Sequence, residues 1–224
     1  MPHRTLNVTE GDDLLKDVVG PDVQASLTPE QVLADLKEGN ARFAAGEITL
    51  RMHVEQVRQA AAGQFPKAIV LSCVDSRVPV EAVFDHGIGD LFVARVAGNF
   101  INPDILGSME FACKVSGAKL VLVLGHGSCG AVMGAIDAVD LGNITGMLDK
   151  VQPAVRDLAG YDGDRTTANP DYVQRVADRN VELNIERVRR ESPILAEMEH
   201  NGEIAIVGGM YDIQTGKVRF FDGS

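Results

Sequence analysis

Cys73, Asp75 and Arg77 stand two residues apart, just after the apolar run Ala68-Ile69-Val70-Leu71. Side chains of an extended chain alternate with a period of two, so thiol, carboxylate and guanidinium would share one face there. A charge at the end of a buried strand costs several kcal/mol unless it is paired or bound to a metal. The chemistry this points to is a thiolate metal ligand followed by an ion-paired carboxylate. Further ligands come from Gly125-His126-Gly127-Ser128-Cys129-Gly130, which follows the apolar run Leu120-Val121-Leu122-Val123-Leu124. His126 and Cys129 are three apart at a loop-to-helix junction, so imidazole and thiolate can converge on one ion.

Two thiolates and an imidazole favour zinc over cobalt or iron. Three protein ligands leave the fourth position open, as in catalytic zinc sites. Asp75 can fill or flank it, and Arg77 can keep that carboxylate ionised and aimed. The same hexapeptide also spells G-x-G-x-x-G, the local form of a dinucleotide fingerprint. That fingerprint opens on the first strand and needs an acidic residue at the end of a second strand about 20 positions on. Here the motif follows the third apolar run, and the region 140–150 holds no strand-like stretch, so dinucleotide binding is set aside. Cys113 reads as a small buried hydrophobe, and His3, His53, His86 and His200 are given no role.

The elements that must position these groups alternate between strand and helix. Thr28-Pro29-Glu30-Gln31 has the form of a capped helix start, and Val32, Leu33, Leu36 and Phe43 give that helix an apolar face. A second helix is expected over His53–Ala62. Strands are expected over Ala68–Cys73, Leu91–Val96, Leu120–Leu124, Ile204–Val207 and Val218–Phe221, with a hairpin turn at Asp212–Gly216. Helices are expected from Asn102 to Gly117 with Val115 inward, from Gly130 to Val139, over Met147–Leu158 and over Asp171–Arg190. This pattern predicts an α/β fold with a parallel sheet covered by helices on both sides. The first and third strands of such sheets are commonly neighbours, and their carboxyl ends frame the ligand crevice. Residues 1–224 read as one domain, with an N-terminal helical arm and helices over 1–66 and the α/β core over 67–224.

Composition narrows the function classes. A net charge of −11 argues against nucleic acid or an anionic membrane as partner. No apolar run approaches the roughly 18 residues of a membrane span. Three cysteines are too few for a disulfide scaffold. Met1–Gly20 has no apolar stretch of signal type, so a cytoplasmic location is expected, with the periplasm open only to a chain that has lost a leader.

With both motifs in view, the chain resembles the β-class carbonic anhydrases, whose C-x-D-x-R stands here as Cys73, Asp75 and Arg77 and whose H-x-x-C stands as His126 and Cys129. The likeness runs from about Thr28 to Val207, through Phe92-Val93-Ala94-Arg95-Val96-Ala97-Gly98-Asn99 and Met109-Glu110-Phe111-Ala112. It implies one zinc ion per chain on Cys73, His126 and Cys129, with water or Asp75 as fourth ligand. It also implies reversible hydration of carbon dioxide to bicarbonate, a mostly parallel sheet in the order 2-1-3-4 before the C-terminal strand, and a homodimer that in some members pairs into tetramers. Asp75, held by Arg77, would be the catalytic carboxylate. Gln64, Phe92, Ala97 and Phe111 fall at substrate-pocket positions, Ala97 and Phe111 replacing the Val and Tyr of plant-like members. Some bacterial members carry an inhibitory bicarbonate site that needs a tryptophan three residues before the first cysteine. Here that residue is Val70 and the chain has no tryptophan, so such regulation is not expected. Two rivals share part of the pattern. A hydrolase of carbonyl sulfide or carbon disulfide on the same scaffold would differ only in its rates, and a non-catalytic zinc protein would have little use for an intact Asp75 and Arg77.

Overall fold

A computed structural model describes residues 14–15 and 17–221. His3 and the reading of residues 1–13 as arm lie outside them. The arm is helical where it enters: α1 (Pro21–Ser26) buries Gln24, whose side-chain amide donates to the carbonyls of Pro66 and Ser116 at 2.7 and 2.8 Å. That staples the arm to the segments leading into two central strands. In α2 (Pro29–Ala45) the capping box is formed: Thr28 Oγ1 accepts the Gln31 N–H at 3.3 Å, and the Gln31 side chain accepts the Thr28 N–H at 2.9 Å. Then come α3 (His53–Ala60), β1 (Ala68–Ser72), α4 (Val80–Val83), β2 (Leu91–Arg95), α5 (Pro103–Glu110) and β3 (Leu120–His126). The chain closes with α6 (Gly130–Ile136), α7 (Gly142–Leu148), α8 (Gln152–Asp157), α9 (Pro170–Glu191), α10 (Pro193–His200), β4 (Ala205–Tyr211) and β5 (Val218–Phe220).

The five strands form one sheet in the order β2-β1-β3-β4-β5. The first four run parallel, and β5 returns antiparallel to β4 through the hairpin closed by the Asp212 N–H on the Lys217 carbonyl at 2.8 Å. β1 and β3 are fully buried, which is why both read as continuous apolar runs. Alternate residues feed two cores. Ile69, Leu71, Val121 and Val123 face α9 and its neighbours, while Val70, Leu120, Leu122 and Leu124 pack on Val32, Leu36 and Phe84. Ser72 is level with Arg95 on one side and Leu124 on the other, so Cys73 leaves the end of β1 beside Gly125-His126, the last two residues of β3.

Three expectations fail for physical reasons. The strand does not carry Cys73, Asp75 and Arg77 on one face. It ends at Ser72, and Asp75 Oδ1 accepts the Arg77 N–H at 2.9 Å, the short-range bond by which aspartate makes a turn. The helix starting at Pro103 tightens differently after Glu110, where Phe111–Val115 form a π-helical turn. The extra residue rotates the phase, so Ala112 and Cys113 point inward and Val115, expected inward, is exposed. The long helices expected after Gly130 are three short ones. Ala138 takes a left-handed φ of 51° just after α6, and Pro153 suits the first turn of a helix but not its interior.

Candidate metal centre

β1 and β3 deliver the three donors. The sulfurs of Cys73 and Cys129 and a ring nitrogen of His126 lie within 4.8 Å of one another, all three residues being buried. Tetrahedral zinc with ~2.3 Å bonds to sulfur sets two sulfurs ~3.8 Å apart; the two here are 4.0 Å apart. His126 Nδ1–H donates to the Gly127 carbonyl at 2.9 Å, which leaves the Nε2 lone pair free. Nε2 is buried and has no hydrogen-bond partner among the described residues. A buried polar atom left bare is costly, and a metal bond is what would satisfy it. The thiols point the same way. Contact with Cys129 holds the Cys73 thiol down, while the same contact, with burial, pushes Cys129 up. A divalent cation seated between the two sulfurs would displace thiol protons.

The local chain explains how these side chains converge. Ser128 adopts a left-handed φ of 51°, which turns the chain tightly between His126 and Cys129, the latter capping α6. The amides of Ala131 and Val132 face the Cys129 sulfur from the first turn of that helix. On the other side the Gly98 N–H donates to Cys73 Sγ at 3.4 Å. Asp75 stands at the rim, its Oδ2 3.9 Å from His126 Nε2. It is turned toward Arg77, which donates from Nε to Oδ1 at 2.9 Å and from Nη2 to Oδ2 at 2.7 Å. That guanidinium holds the Asp75 carboxyl well below the usual carboxylate range. The same Nη2 reaches the Ser128 carbonyl at 3.3 Å, tying the two motif loops together.

The sequence profile of the carbonic anhydrase family matches residues 68–218. The chain belongs to the β-carbonic anhydrase family. It is 38% identical over 188 residues to carbonic anhydrase 2 of Mycobacterium tuberculosis, covering 81% of this chain and 87% of that one. It is 35% identical over 189 residues to the carbonic anhydrase of Mycolicibacterium smegmatis, covering 82% and 88%. Among solved structures, a tetrameric β-carbonic anhydrase of the ascomycete Sordaria macrospora superposes with a TM-score of 0.68 at 26% identity, covering 74% of this chain and 85% of that one.

Within this β-carbonic anhydrase, the residues expected at the substrate pocket do not all meet the triad of their own chain. Ala97 does come close, half-buried beside Gly98. Phe92 is four residues before the strand-end level of Val96 and pairs with Ile69, roughly 13 Å along β1 from Cys73 at ~3.3 Å per residue. It packs edge-on against Phe111 at 6.1 Å between ring centres, and both line an open groove of about 800 Å³ along the β2 edge. Gln64 is exposed and precedes β1, at the end of that strand away from Cys73. Of the G-x-G-x-x-G glycines, Gly125 serves close packing. A side chain at Gly125 would sit 2.7 Å from Val181 and 2.8 Å from Met210, and no strand follows α6 before α9. Sequence reasoning missed Arg95, which donates from Nε to the Cys73 carbonyl at 2.8 Å and from Nη2 to the Asp75 carbonyl at 2.7 Å. Its partners are backbone groups, so no acidic residue in the sequence signals it. Among the histidines, His86 is buried between the Phe84 carbonyl and Asp35, in keeping with a local structural bond.

Proposed function

We propose that the chain catalyses the reversible hydration of carbon dioxide to bicarbonate and a proton, with one zinc ion per chain held by Cys73, His126 and Cys129. The observation that carries this reading is the unpartnered His126 Nε2 facing two thiol sulfurs, beside a carboxylate clamped by an arginine. Bound zinc supplies Lewis acidity, which makes a water nucleophilic near neutral pH. The chain's own groups do the positioning. Asp75, kept ionised by Arg77, accepts a hydrogen bond from the nucleophile and aims its lone pair at the substrate carbon. Three bonds from Arg77, two from the guanidinium and one from the backbone, favour a free Asp75 and so water as the fourth ligand at rest. Arg95 fixes the backbone of both Cys73 and Asp75, so the ligand and the carboxylate keep one spacing.

The working unit in this reading is a homodimer, open to further pairing into a tetramer. Supporting it are the outer position of β2, the groove beside it, and a set of exposed apolar residues: Ile48, Leu50, Met52, Val54, Val57 and Ile88. A second copy seated there would also give Phe92, Phe111 and Gln64 a way to border substrate, since they stand away from their own triad. Light scattering tests this, and a fully active monomer overturns it. Among the described residues no helix is long and apolar enough to cross a membrane. We place the protein in the cytoplasm, where its three free thiols stay reduced; fractionation checks this. The reaction itself is tested by stopped-flow hydration of carbon dioxide at pH 8.5 on metal-analysed protein, with Cys73→Ser as control. Turnover well above that control is expected, and zinc-loaded wild type at the control's rate overturns the proposal.

A further inference from the structure

The inward face of α9 is apolar along most of its length, with Val173, Val176, Ala177, Val181, Ile185 and Val188 buried. Two amides interrupt it one turn apart, Asn180 at 2% and Asn184 at 1% exposed. Buried amides are disfavoured unless their polar atoms are bonded, so where those bonds go shows what the residues are for. Asn184 accepts the Ile101 N–H at 2.8 Å on Oδ1 and donates from Nδ2 to the Asn180 carbonyl at 2.8 Å and to Asn180 Oδ1 at 3.3 Å. The last bond fixes which way the Asn180 amide faces. Asn180 Nδ2 then donates to the Gly98 carbonyl at 2.9 Å.

Gly98 is the residue whose N–H reaches the Cys73 sulfur. It stands in the left-handed region at φ 84°, followed by Asn99 at φ 39°, a pair of conformations that surrounding contacts have to hold. A side chain at Gly98 would come within 2.9 Å of Val151 and 3.3 Å of Ala131, so the loop is also pressed from the helix side. We infer that Asn180 is a positioning residue for the metal centre: it anchors the Gly98 peptide so that the Gly98 N–H meets Cys73 Sγ and fixes how that sulfur presents itself to a metal. Among the described residues the Asn180 side chain bonds to Gly98 and Asn184 and to none of the three donors, so it acts through the loop. An N–H on a ligand sulfur draws charge from it and sets the direction of its remaining lone pairs, the kind of outer contact whose loss costs about 10–100-fold in metal affinity or activity.

The inference rests on the metal-centre reading above, and the experiment separates the two. Wild type, Asn180→Ala and Asn184→Ala are compared for zinc affinity by chelator competition, for the sulfur-to-cobalt charge-transfer band after cobalt substitution, and for thermal unfolding without metal. Asn184→Ala removes an equally buried amide of the same helix, which holds the Ile101 end of the loop; it keeps both partners of the Asn180–Gly98 bond and takes away only the weaker 3.3 Å contact that helps orient the Asn180 amide. Asn180→Ala is expected to lower zinc affinity by about 10-fold or more and to shift the cobalt band. Asn184→Ala is expected to lose similar stability with a smaller change in both metal readings. Should Asn180→Ala not fold, Asn180→Val, which fills the space without a donor, is read the same way. Zinc affinity within twofold of wild type with an unmoved band overturns the inference, and so do equal metal effects in the two variants, which would mark general loosening. A wild type that binds neither ion overturns the metal-centre reading and this inference with it.

Discussion

Replacing Arg77 with alanine removes two of the three bonds that hold the Asp75 carboxylate, leaving only the backbone N–H of residue 77 at 2.9 Å. The freed carboxylate has somewhere to go, because Oδ2 already lies 3.9 Å from His126 Nε2. A turn about its side-chain bonds brings it toward the space between Cys73, His126 and Cys129. The aimed acceptor is then lost from the rim while the three donors, none of which Arg77 touches directly, stay in place. Outer contacts of this kind are worth about 10–100-fold, so kcat/KM for carbon dioxide hydration is expected to fall by that factor with zinc content unchanged. A contact used mainly in the transition state lowers kcat and kcat/KM together, and that is the split expected here. Arg77→Lys should recover little, since an ammonium cannot reproduce the paired Nε and Nη2 geometry. Stopped-flow kinetics with metal analysis on both variants decides it. Arg77→Ala with wild-type kcat/KM at full zinc loading would refute the reasoning, as would a loss explained entirely by lost zinc.

Away from the site, Asp85 is buried and accepts from Arg42 at 2.6 Å, Arg51 at 2.5 Å and the Thr49 hydroxyl at 2.7 Å. Burial pushes its carboxyl up, but these partners outweigh burial and hold it at about 2. A carboxyl depressed in the folded state stabilises above its unfolded value near 4, and that contribution is lost as pH falls through about 2. Asp85→Asn is expected to cost about 3–5 kcal/mol at neutral pH and to flatten the acid limb; urea titrations in which variant and wild type lose equal stability between pH 7 and pH 3 contradict this. Gly125→Ala drives a methyl to 2.7 Å from Val181 and 2.8 Å from Met210, which should cost about 1–3 kcal/mol; an unchanged thermal midpoint is the contrary result. Two thiolates offset more of the metal's charge than three imidazoles do, so the nucleophile should lose its proton at higher pH than on an all-histidine site. Activity is therefore expected to climb from pH 6 to 9, and a flat profile contradicts it.

The sequence made the site legible because its chemistry is carried by side chains at fixed spacings on two unbroken apolar runs. Cys73 follows β1, His126 ends β3 and Cys129 comes three residues later; both strands are buried on both faces, and such strands in a parallel sheet have few ways to be arranged. The hairpin before β5 and the adjacency of β1 and β3 followed from the same pattern, whereas the full sheet order came from the family resemblance. What could not be read was set by backbone geometry. The Asx-type turn at Asp75 replaced an extended strand, and the π-helical turn at Phe111–Val115 put Val115 outside, because neither alters the hydrophobic period that marks an element. Arg95 and Asn180 were invisible for a related reason. Each serves a backbone carbonyl, and a carbonyl leaves no trace in the residue types of a sequence. Phe92, Phe111 and Gln64 were placed at the substrate by resemblance, yet one chain sets them along the β2 edge and beyond the start of β1.

In the proposed mechanism one zinc ion at Cys73, His126 and Cys129 is what makes this chain a catalyst of carbon dioxide hydration. Zinc-stripped protein titrated with zinc, with stopped-flow hydration measured at each addition, tests it most directly. Activity is expected to rise in proportion to bound zinc and to level at one equivalent per chain, with no rise in Cys73→Ser. One bound equivalent and a rate no faster than buffer would contradict it.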